Sequence, residues 1–260
     1  MAMTLYDNAF SPFARKVRMV LELKGLDFDT VDGLDKANAA RLEEVNQRAE
    51  VPTLVDESVT VVNSADIVAY LERAYPEPSV YPCDAAEWAR ARAWELCADS
   101  VIDPILIDIS YWLWAERSDE MPDGMLDAAR RDMATVYDAL ERDLDGRDYV
   151  CGELSVADIA LFPHMTAVRA MKVAFSPMDH PGVAAWFKRL RGLDICGADL
   201  ERTRAFVSGD APNNIERRKL FWRGDRIEWL LARGYHDWFM KEIVEDRVIW
   251  PGLGVPGPRA

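Results

Sequence analysis

Length, composition and charge limit what this chain can be. Its 260 residues are 50% hydrophobic and 29% charged, which is enough apolar material for one large domain or two small ones. The formal net charge of −14 argues against nucleic acid as a partner, because phosphate backbones repel an acidic protein. No apolar run approaches the roughly 20 residues of a membrane span, and no secretory signal opens the chain. We therefore expect a cytoplasmic protein that binds neither membrane nor nucleic acid.

The cysteines and histidines form no metal-binding pattern. They are Cys83, Cys97, Cys151, Cys196, His164, His180 and His236. No cysteine pair has CxxC spacing, and the histidines do not cluster with the cysteines, as a structural zinc site or a redox dithiol would require. We expect reduced thiols and no metal.

The first 76 residues alternate short apolar runs with helical patterns. The predicted elements are a strand at 3–6, a helix at 12–24, a strand at Phe28–Asp32, a weak helix at 35–46, a hairpin of Thr53–Asp56 and Val59–Val62, and a helix at Ala65–Ala74. A βαβ unit followed by a ββα unit is typical of a small domain with a mixed sheet. The pattern therefore predicts an α/β domain over residues 1–76.

The chain after residue 82 has helical character. Prolines indicate a stiff linker at Tyr75–Pro82. The predicted helices cover 84–115, with a kink or break at Pro104, then 123–144, 155–174 and 181–192. Together they predict an all-α bundle over residues 83–204.

The remaining residues, 205–260, form an aromatic-rich extension. Asn213-Asn214 marks a break, and large aromatic residues then recur over 215–246. The last ten residues contain proline and glycine, so we expect them to be extended or disordered.

Ser11 stands at the start of the first predicted helix. It occupies the position of a helix cap, and Pro12 suits the first helical residue, where a missing N–H costs nothing. A hydroxyl beside the unpaired N–H groups of a helix start can hold an anion, including a thiolate. The alternative is an ordinary capped helix, so Ser11 alone assigns no function.

Two further motifs lie in the same domain. Val51-Pro52 is either the start of an edge strand or a cis-proline turn that exposes the Val51 backbone to an extended peptide. Ser64 caps the next helix, whose N–H groups can receive a carboxylate, and Asn63 offers an amide to the same ligand. A hydroxyl, a backbone pair and an anion site match a γ-linked tripeptide with one thiol and two carboxylates.

Four motifs in order make the chain resemble the cytosolic glutathione transferases over about residues 3 to 200. They are Ser11–Arg18, Val51–Leu54, Asn63–Leu71 and Gly152–Ala160. In the last motif Ser155 caps a helix and Asp158 reaches back to the cap N–H. The serine is similar to that of the zeta-like and related bacterial branches, whereas Phe13 stands where the reductive dehalogenases of this family have a cysteine, which disfavours reductive chemistry.

The resemblance implies a thioredoxin-like α/β domain that binds glutathione, plus an all-α domain that shapes the pocket of a second substrate. It implies that Ser11 hydrogen-bonds the glutathione sulfur and lowers its pKa, so that the thiolate attacks a small apolar or aromatic electrophile. The reaction would be conjugation, isomerisation or cleavage, with glutathione as co-substrate and no metal. The other residues that it assigns to glutathione are Phe13, Val51, cis Pro52, Asn63 and Ser64.

Aromatic residues of the helical half are candidates for the second-substrate pocket. They are Tyr111, Trp112, Trp114 and Trp222. Each has a simpler interpretation as core. The tail over 215–246 is likewise either packing against the bundle or a flap of one or two helices over the pocket.

Two positions depart from the family pattern and leave a second function open. Glu50 stands where the resemblance would put Lys or Gln beside the glycine carboxylate of glutathione, and Asn63 stands where Glu or Gln is common. Both changes weaken the expected grip on glutathione, although Arg48 could compensate for Glu50. The alternative function is a non-catalytic binding or regulatory protein of the same fold.

The resemblance also implies a homodimer, with the first domain of one copy against the second domain of the other. The basic run Arg15, Lys16 and Arg18 has the composition of a solvated helix face. With the acidic residues Asp84 and Glu87, that face is a candidate for contacts at the rim of such an interface.

Overall fold

The N-terminal elements follow the predicted order. The computed structural model describes residues 3–114, 120–209, 220–221 and 224–250, without the side chains at positions 114, 220, 221 and 249. The first elements are β1 (Met3–Asp7), α1 (Pro12–Leu23), β2 (Phe28–Asp32), α2 (Ala39–Val45), β3 (Thr53–Asp56), β4 (Val59–Val62) and α3 (Ser64–Ala74), with a short 3₁₀ turn at Lys36–Asn38. The weak helix expected at 35–46 is therefore a 3₁₀ turn followed by α2.

The four strands form one mixed sheet in the order β2-β1-β3-β4. β1 runs parallel to β2 and antiparallel to β3, with Leu5 opposite Leu54, and β3 and β4 form the predicted hairpin. Parallel neighbours need a crossover connection, which α1 supplies between β1 and β2. The predicted α/β domain with a mixed sheet is confirmed.

The next stretch is helical, as predicted. It contains α4 (Ala85–Cys97), α5 (Asp103–Trp114), α6 (Met125–Leu144), α7 (Val156–Ala167) and α8 (Pro181–Leu190). A π-helical turn at Ala98–Ile102 joins α4 to α5 immediately before Pro104. Proline lacks an N–H and its ring opposes the carbonyl four residues back, so a wider turn accommodates it without breaking the helix. α7 ends at Ala167, short of the predicted residue 174.

The C-terminal part adds three helices and two short strands. They are α9 (Asp194–Ser208), β5 (Leu220–Phe221), α10 (Gly224–Ala232), α11 (His236–Val244) and β6 (Val248–Ile249). β5 and β6 pair in parallel, and the tail, where one or two helices were expected, contains the two helices α10 and α11. The predicted break at Asn213-Asn214 and the last ten residues lie outside the described part of the chain. In the described ranges no helix is both long enough and apolar enough to cross a membrane.

Two compact units make up the described chain, and each is assembled from separate stretches of sequence. The first unit holds residues 3–82 and 191–209, so α9 belongs with the sheet's domain and packs against α1. The second unit holds the other helices, including α10 and α11. The all-α bundle predicted over residues 83–204 includes most of α9, because sequence periodicity does not show which surface a helix packs on.

The basic residues of α1 are buried, so the predicted solvated face is wrong. Arg15, Lys16 and Arg18 are 4%, 1% and 3% exposed. The carboxylates of Asp199 and Asp7 face the two arginines in the protein interior. Charged side chains are buried when a distant segment supplies their counter-ions, and these residues cannot then form the rim of an interface.

Candidate functional site

Ser11 caps α1, as predicted. Its backbone is extended, its Oγ accepts the N–H of Ala14 at 3.3 Å, and Pro12 is the first helical residue. The side chain is half-buried. A hydroxyl that accepts a hydrogen bond through its oxygen still has a proton to donate, so Ser11 can both close the helix and hydrogen-bond an anion.

The loop before Ser11 is held by Asn8, which sequence reasoning missed. The Oδ1 of Asn8 accepts the N–H of Phe10 at 2.9 Å, its Nδ2 donates to Asp32 at 2.9 Å, and its carbonyl accepts the N–H of Ser11 at 3.0 Å. Asn8 is 2% exposed. An asparagine after a strand is a common turn signal, which could have indicated this role.

The Val51–Pro52 peptide bond is cis, as predicted. Asn46 organises the preceding loop, donating through Nδ2 to the Glu50 carbonyl at 3.1 Å and to Thr53 Oγ1 at 3.0 Å. Among the residues that the structure describes, none hydrogen-bonds the backbone of Val51. That backbone pair is therefore available to an extended ligand beside the start of β3.

The start of α3 differs from the prediction in one residue. Asn63 is the cap, with φ at 71° and its Oδ1 accepting the N–H of Ala65 at 3.0 Å, whereas Ser64 is the first helical residue and is buried. The predicted cap at Ser64 is wrong because asparagine tolerates a left-handed backbone and bonds the backbone two residues on. The helix start still presents its N–H groups at this point.

Glu50 is paired with Arg48. The Nε of Arg48 lies 2.8 Å from one carboxylate oxygen of Glu50, and its Nη2 lies 3.1 Å from the other. This hydrogen bond is the main reason that the pKa of Arg48 is raised. The negative charge that disturbs the family pattern at Glu50 is therefore compensated within the same loop.

The side chain of Phe13 lies in the core of the first unit. It is 6% exposed, on the first turn of α1. Its contact with glutathione stays a prediction.

The second-unit candidates form part of an aromatic cluster. The rings of Tyr111, Trp112 and Trp238 lie 4.9 to 6.2 Å apart, centroid to centroid. The hydroxyl of Tyr111 donates to Glu242 at 2.9 Å, and Trp112 is 1% exposed. This burial of Trp112 favours its interpretation as core. Trp238 belongs to the aromatic run over 215–246, whereas Glu242 had no local sequence signal. Both meet Tyr111 only through the packing of α11.

Two other candidates fall where the structure gives no side chain. Trp114 belongs to α5, but its side chain is not described, and Trp222 lies outside the described residues. Their assignment to a second-substrate pocket stays a prediction.

The predicted cap of the helical domain is confirmed at α7. The Asp158 carboxylate accepts the N–H and the hydroxyl of Ser155 at 3.0 and 3.1 Å. It also accepts the N–H of Val150 at 3.1 Å and the indole N–H of Trp186 at 2.8 Å. Burial raises the pKa of Asp158, and these hydrogen bonds oppose that rise. One carboxylate therefore joins the start of α7 to the preceding loop and to α8.

Models of two protein domains match the chain in order. One, described as the N-terminal domain of glutathione S-transferase, matches residues 5–79. The other, described as the C-terminal domain of glutathione S-transferase, matches residues 123–189.

Individual proteins give the same result. The chain is 33% identical to glutathione S-transferase 1 of Dianthus caryophyllus, over 64% of this chain and 76% of that protein. It is 29% identical to maleylacetoacetate isomerase of Mus musculus, over 74% of this chain and 88% of that protein. A crystal structure of a glutathione S-transferase from Rhodospirillum rubrum superposes with a TM-score of 0.65 at 28% identity, covering 76% of this chain and 91% of that one.

The sheet order, the serine-capped first helix and the cis-proline before β3 thus coincide with matches to both domains in the same order. The chain belongs to the glutathione S-transferase family, with a thioredoxin-like N-terminal domain and a helical C-terminal domain.

Proposed function

We propose that this member of a family of enzymes is a glutathione-dependent transferase in which Ser11 stabilises the glutathione thiolate. The observation that carries the proposal is the Ser11 hydroxyl at the start of α1, in the same unit as a Val51 backbone that no described residue hydrogen-bonds. A tripeptide thiol needs both features, because one holds its sulfur and the other its backbone.

Ser11 acts on the sulfur. A thiol in water titrates near 8.5, and a hydroxyl donor at a helix start favours the thiolate, since both interact better with the anion than with the thiol. The pKa of bound glutathione therefore falls toward neutrality. The thiolate then attacks a bound electrophile whose position lowers the barrier.

The remaining first-unit residues hold the ends of the tripeptide. The N–H and C=O of Val51 pair with the cysteinyl residue in the manner of an added strand. Asn63 and Ser64, at the start of α3, receive the carboxylate of the γ-glutamyl end. Phe13 contributes through its backbone on the first turn of α1.

Isomerisation of a cis double bond conjugated to a carbonyl is the reaction that we propose to test first, because the Mus musculus relative is named a maleylacetoacetate isomerase. The thiolate adds to one alkene carbon and the π electron pair moves onto the carbonyl oxygen. Rotation follows about the carbon–carbon bond that was double and is now single. The electron pair returns, the C–S bond breaks and the thiolate is released, so no oxidant or net proton is needed. Conjugation of a small apolar or aromatic electrophile uses the same first step.

Ser11→Ala tests the mechanism. Turnover should fall about 10- to 1000-fold, or about 1.4 to 4 kcal/mol, because a donor to the developing thiolate is lost. Glutathione affinity, measured by calorimetry, should change less. Undiminished turnover in Ser11→Ala would remove Ser11 from the mechanism, and glutathione binding by a protein without turnover would favour a non-catalytic role.

A homodimer and a cytoplasmic location complete the proposal. Pairing about a two-fold axis would use the same surface on both copies. The burial of Arg15 and Arg18 removes them from that surface. Light scattering at micromolar concentration should give twice the 29.5 kDa mass of the chain, and a monomer mass would contradict the dimer.

A further inference from the structure

One face of α9 contacts the loop that carries Ser11. The hydroxyl of Thr203 shares its proton between the carbonyl of Ala9 at 3.2 Å and that of Asp199, in its own helix, at 2.9 Å. The ring of Phe206 lies 6.2 Å from that of Phe10, centroid to centroid. Asp199 lies one turn before Thr203, so these α9 side chains share a face. Two contacts from α9 thus reach the residues immediately before the helix cap.

Asp199 anchors the other side of Ser11 through Arg15. Its two carboxylate oxygens accept from the Nε of Arg15 at 3.1 and 3.0 Å and from its Nη2 at 2.6 Å. The side chains of Arg15 and Asp199 are 4% and 0% exposed. The backbone N–H of Arg15 donates to the carbonyl of Ser11 at 3.0 Å. Arg15, whose side chain is bound by Asp199 of α9, therefore also makes the first backbone hydrogen bond of α1.

Arg18 extends this contact to the strand before the loop. Its Nε donates to Asp7 at 2.8 Å, and its Nη1 lies 3.5 Å from Asp199. Asp7 ends β1, and Asn8 follows it with the contacts to Phe10 and Ser11 already described. Two arginines and two aspartates thus fix both ends of the loop from Asn8 to Ser11. Burying such a network costs desolvation, so specifying one geometry is a better explanation for it than stability.

We infer that Asp199, 188 positions beyond Ser11 in the chain, is a positioning residue for thiol activation, holding the Ser11 hydroxyl in place through Arg15. This inference rests on the proposed role of Ser11. It extends the functional machinery into α9, which contacts α1 and the loop before it.

Asp199→Asn gives the first test, because a positioning role and a purely electrostatic role of Asp199 predict opposite shifts in the pKa of the bound glutathione thiol. If Asp199 positions Ser11, weakening its hold on Arg15 should raise the pKa of the bound glutathione thiol toward that of free thiol. Turnover should then fall on the order of tenfold or more while KM for the electrophile stays the same. If Asp199 acted only through its charge, removing a negative group would favour the thiolate and lower that pKa. A titration of thiolate ultraviolet absorbance against pH measures the shift, and a lower or unchanged pKa overturns the inference.

Thr203→Val tests the same contact without changing any charge. It removes the hydroxyl that lies 3.2 Å from the carbonyl oxygen of Ala9 and 2.9 Å from that of Asp199 within α9. It leaves the ion pair of Asp199 with Arg15 in place, so it stays informative even if Asp199→Asn folds poorly. The thiol pKa should move in the same direction by a smaller amount, and amide hydrogen exchange in residues 8–14 should become faster in both variants. Unchanged exchange and an unchanged thiol pKa in Thr203→Val overturn the inference.

Glu72→Gln is the matched control. Glu72 forms a partly buried ion pair with Lys24 at 2.6 Å, at the far end of α1 and about 20 Å along the helix from Ser11. This variant should lower the unfolding midpoint but leave the thiol pKa alone. If it raises that pKa as much as Asp199→Asn does, the effect is general loosening of the domain and the inference fails.

Ser11→Ala separates failure of the inference from failure of the proposed function. In the Ser11→Ala background, Asp199→Asn should no longer change the thiol pKa. If Ser11→Ala raises the pKa and the α9 variants do not, only the positioning role fails. If Ser11→Ala itself leaves the pKa of the bound glutathione thiol unchanged, the proposed function and the inference both fail.

Discussion

The local sequence determines the contacts of the Ser11 side chain but not those of the Glu50 side chain. Ser11 caps α1 through a contact three residues along the chain, so its geometry follows from the Ser-Pro order. Glu50 could extend into solvent, as exposed carboxylates do, but in the folded loop both its oxygens contact Arg48. The negative charge of Glu50, which is unfavourable for glutathione, is therefore offset by Arg48. A spacing of two residues allows this ion pair to form but does not require it.

We expect Glu50→Gln to tighten glutathione binding by up to about 1 kcal/mol. The change removes a carboxylate next to Val51 and releases the guanidinium of Arg48 for the glycine carboxylate of the ligand. Water screens the pair, whose side chains are 31% and 42% exposed, so a larger effect is not expected.

Calorimetry with glutathione measures the change in Kd. Arg48→Gln is the matched variant and should weaken binding, because it leaves Glu50 without its counter-ion. A Kd that rises in Glu50→Gln would mean that Glu50 holds Arg48 in position for the ligand.

Among the elements, α5 carries a carboxyl group where a buried helix would be expected to be apolar. Asp108 is 3% exposed, and its Oδ2 has no hydrogen-bond partner among the described residues. α10 packs against α5, and the charges that act on Asp108 come from Arg226 on α10 and Asp103 on α5, which pair at 3.0 Å. Burial is the largest cause of a pKa well above the ordinary value for Asp108; Arg226 opposes that rise and Asp103 adds to it.

Asp108→Asn should make the protein more stable at neutral pH. An aspartate in the unfolded chain titrates near 3.9, so above that pH the native state holds a proton that the unfolded state has lost. The native protein then loses up to about 1.4 kcal/mol of stability for each pH unit between the unfolded and folded pKa values. An asparagine does not titrate, so Asp108→Asn does not lose this stability as the pH rises.

Denaturant unfolding from pH 4 to pH 8 checks the expectation. The two proteins should be about equally stable near pH 4 and diverge as the pH rises. Asp127→Asn, at an exposed position on α6, controls for the loss of one carboxylate. A stability difference that does not depend on pH would show that Asp108 is not protonated in the native state.

At the scale of the whole molecule, residues 224–250 of the extension are part of the second unit. Arg226 pairs with Asp103, Trp229 and Arg233 both donate to Asp132, and Glu242 accepts from Tyr111. Trp229, Leu230 and Phe239 are 9%, 1% and 6% exposed. The extension therefore contributes core side chains and buried polar contacts to the helical domain.

Deleting residues 214–260 should largely unfold the second unit. Burial of three large apolar side chains is worth roughly 5 to 9 kcal/mol, which is comparable with the whole stability of an ordinary domain. Circular dichroism should show a loss of helix beyond that of the removed residues, together with poor solubility.

Phe239→Ala offers a milder form of the same test. It should lower stability by about 3 to 5 kcal/mol while leaving glutathione binding nearly intact, since the residues assigned to glutathione belong to the first unit.

A truncated protein that keeps its helix content and its substrate profile would contradict a structural role for the extension. That the extension narrows the second-substrate pocket stays a prediction.

Short-range physics explains what could be predicted from the sequence by itself. Strand alternation, helix periodicity and capping residues act over a few positions, and they gave the α/β domain, the hairpin, the Ser11 cap and the Ser155–Asp158 cap correctly. They left Val51-Pro52 open between an edge strand and a cis-proline, and the family resemblance favoured the cis bond that the structure has. The cap of α3 was missed by one residue, because Asn63 and Ser64 are both good caps and only the backbone angle separates them.

Only the tertiary structure decided which charged and aromatic residues meet. Arg15 and Asp199 are 184 residues apart, and Tyr111 and Glu242 are 131 apart. A basic run on a helix has the same pattern whether it faces water or buried carboxylates, and a later helix has the same period whichever unit it joins. Long-range packing brings the counter-ions to α1 and places α9 beside Ser11, because burial of the whole chain, not local propensity, selects those contacts.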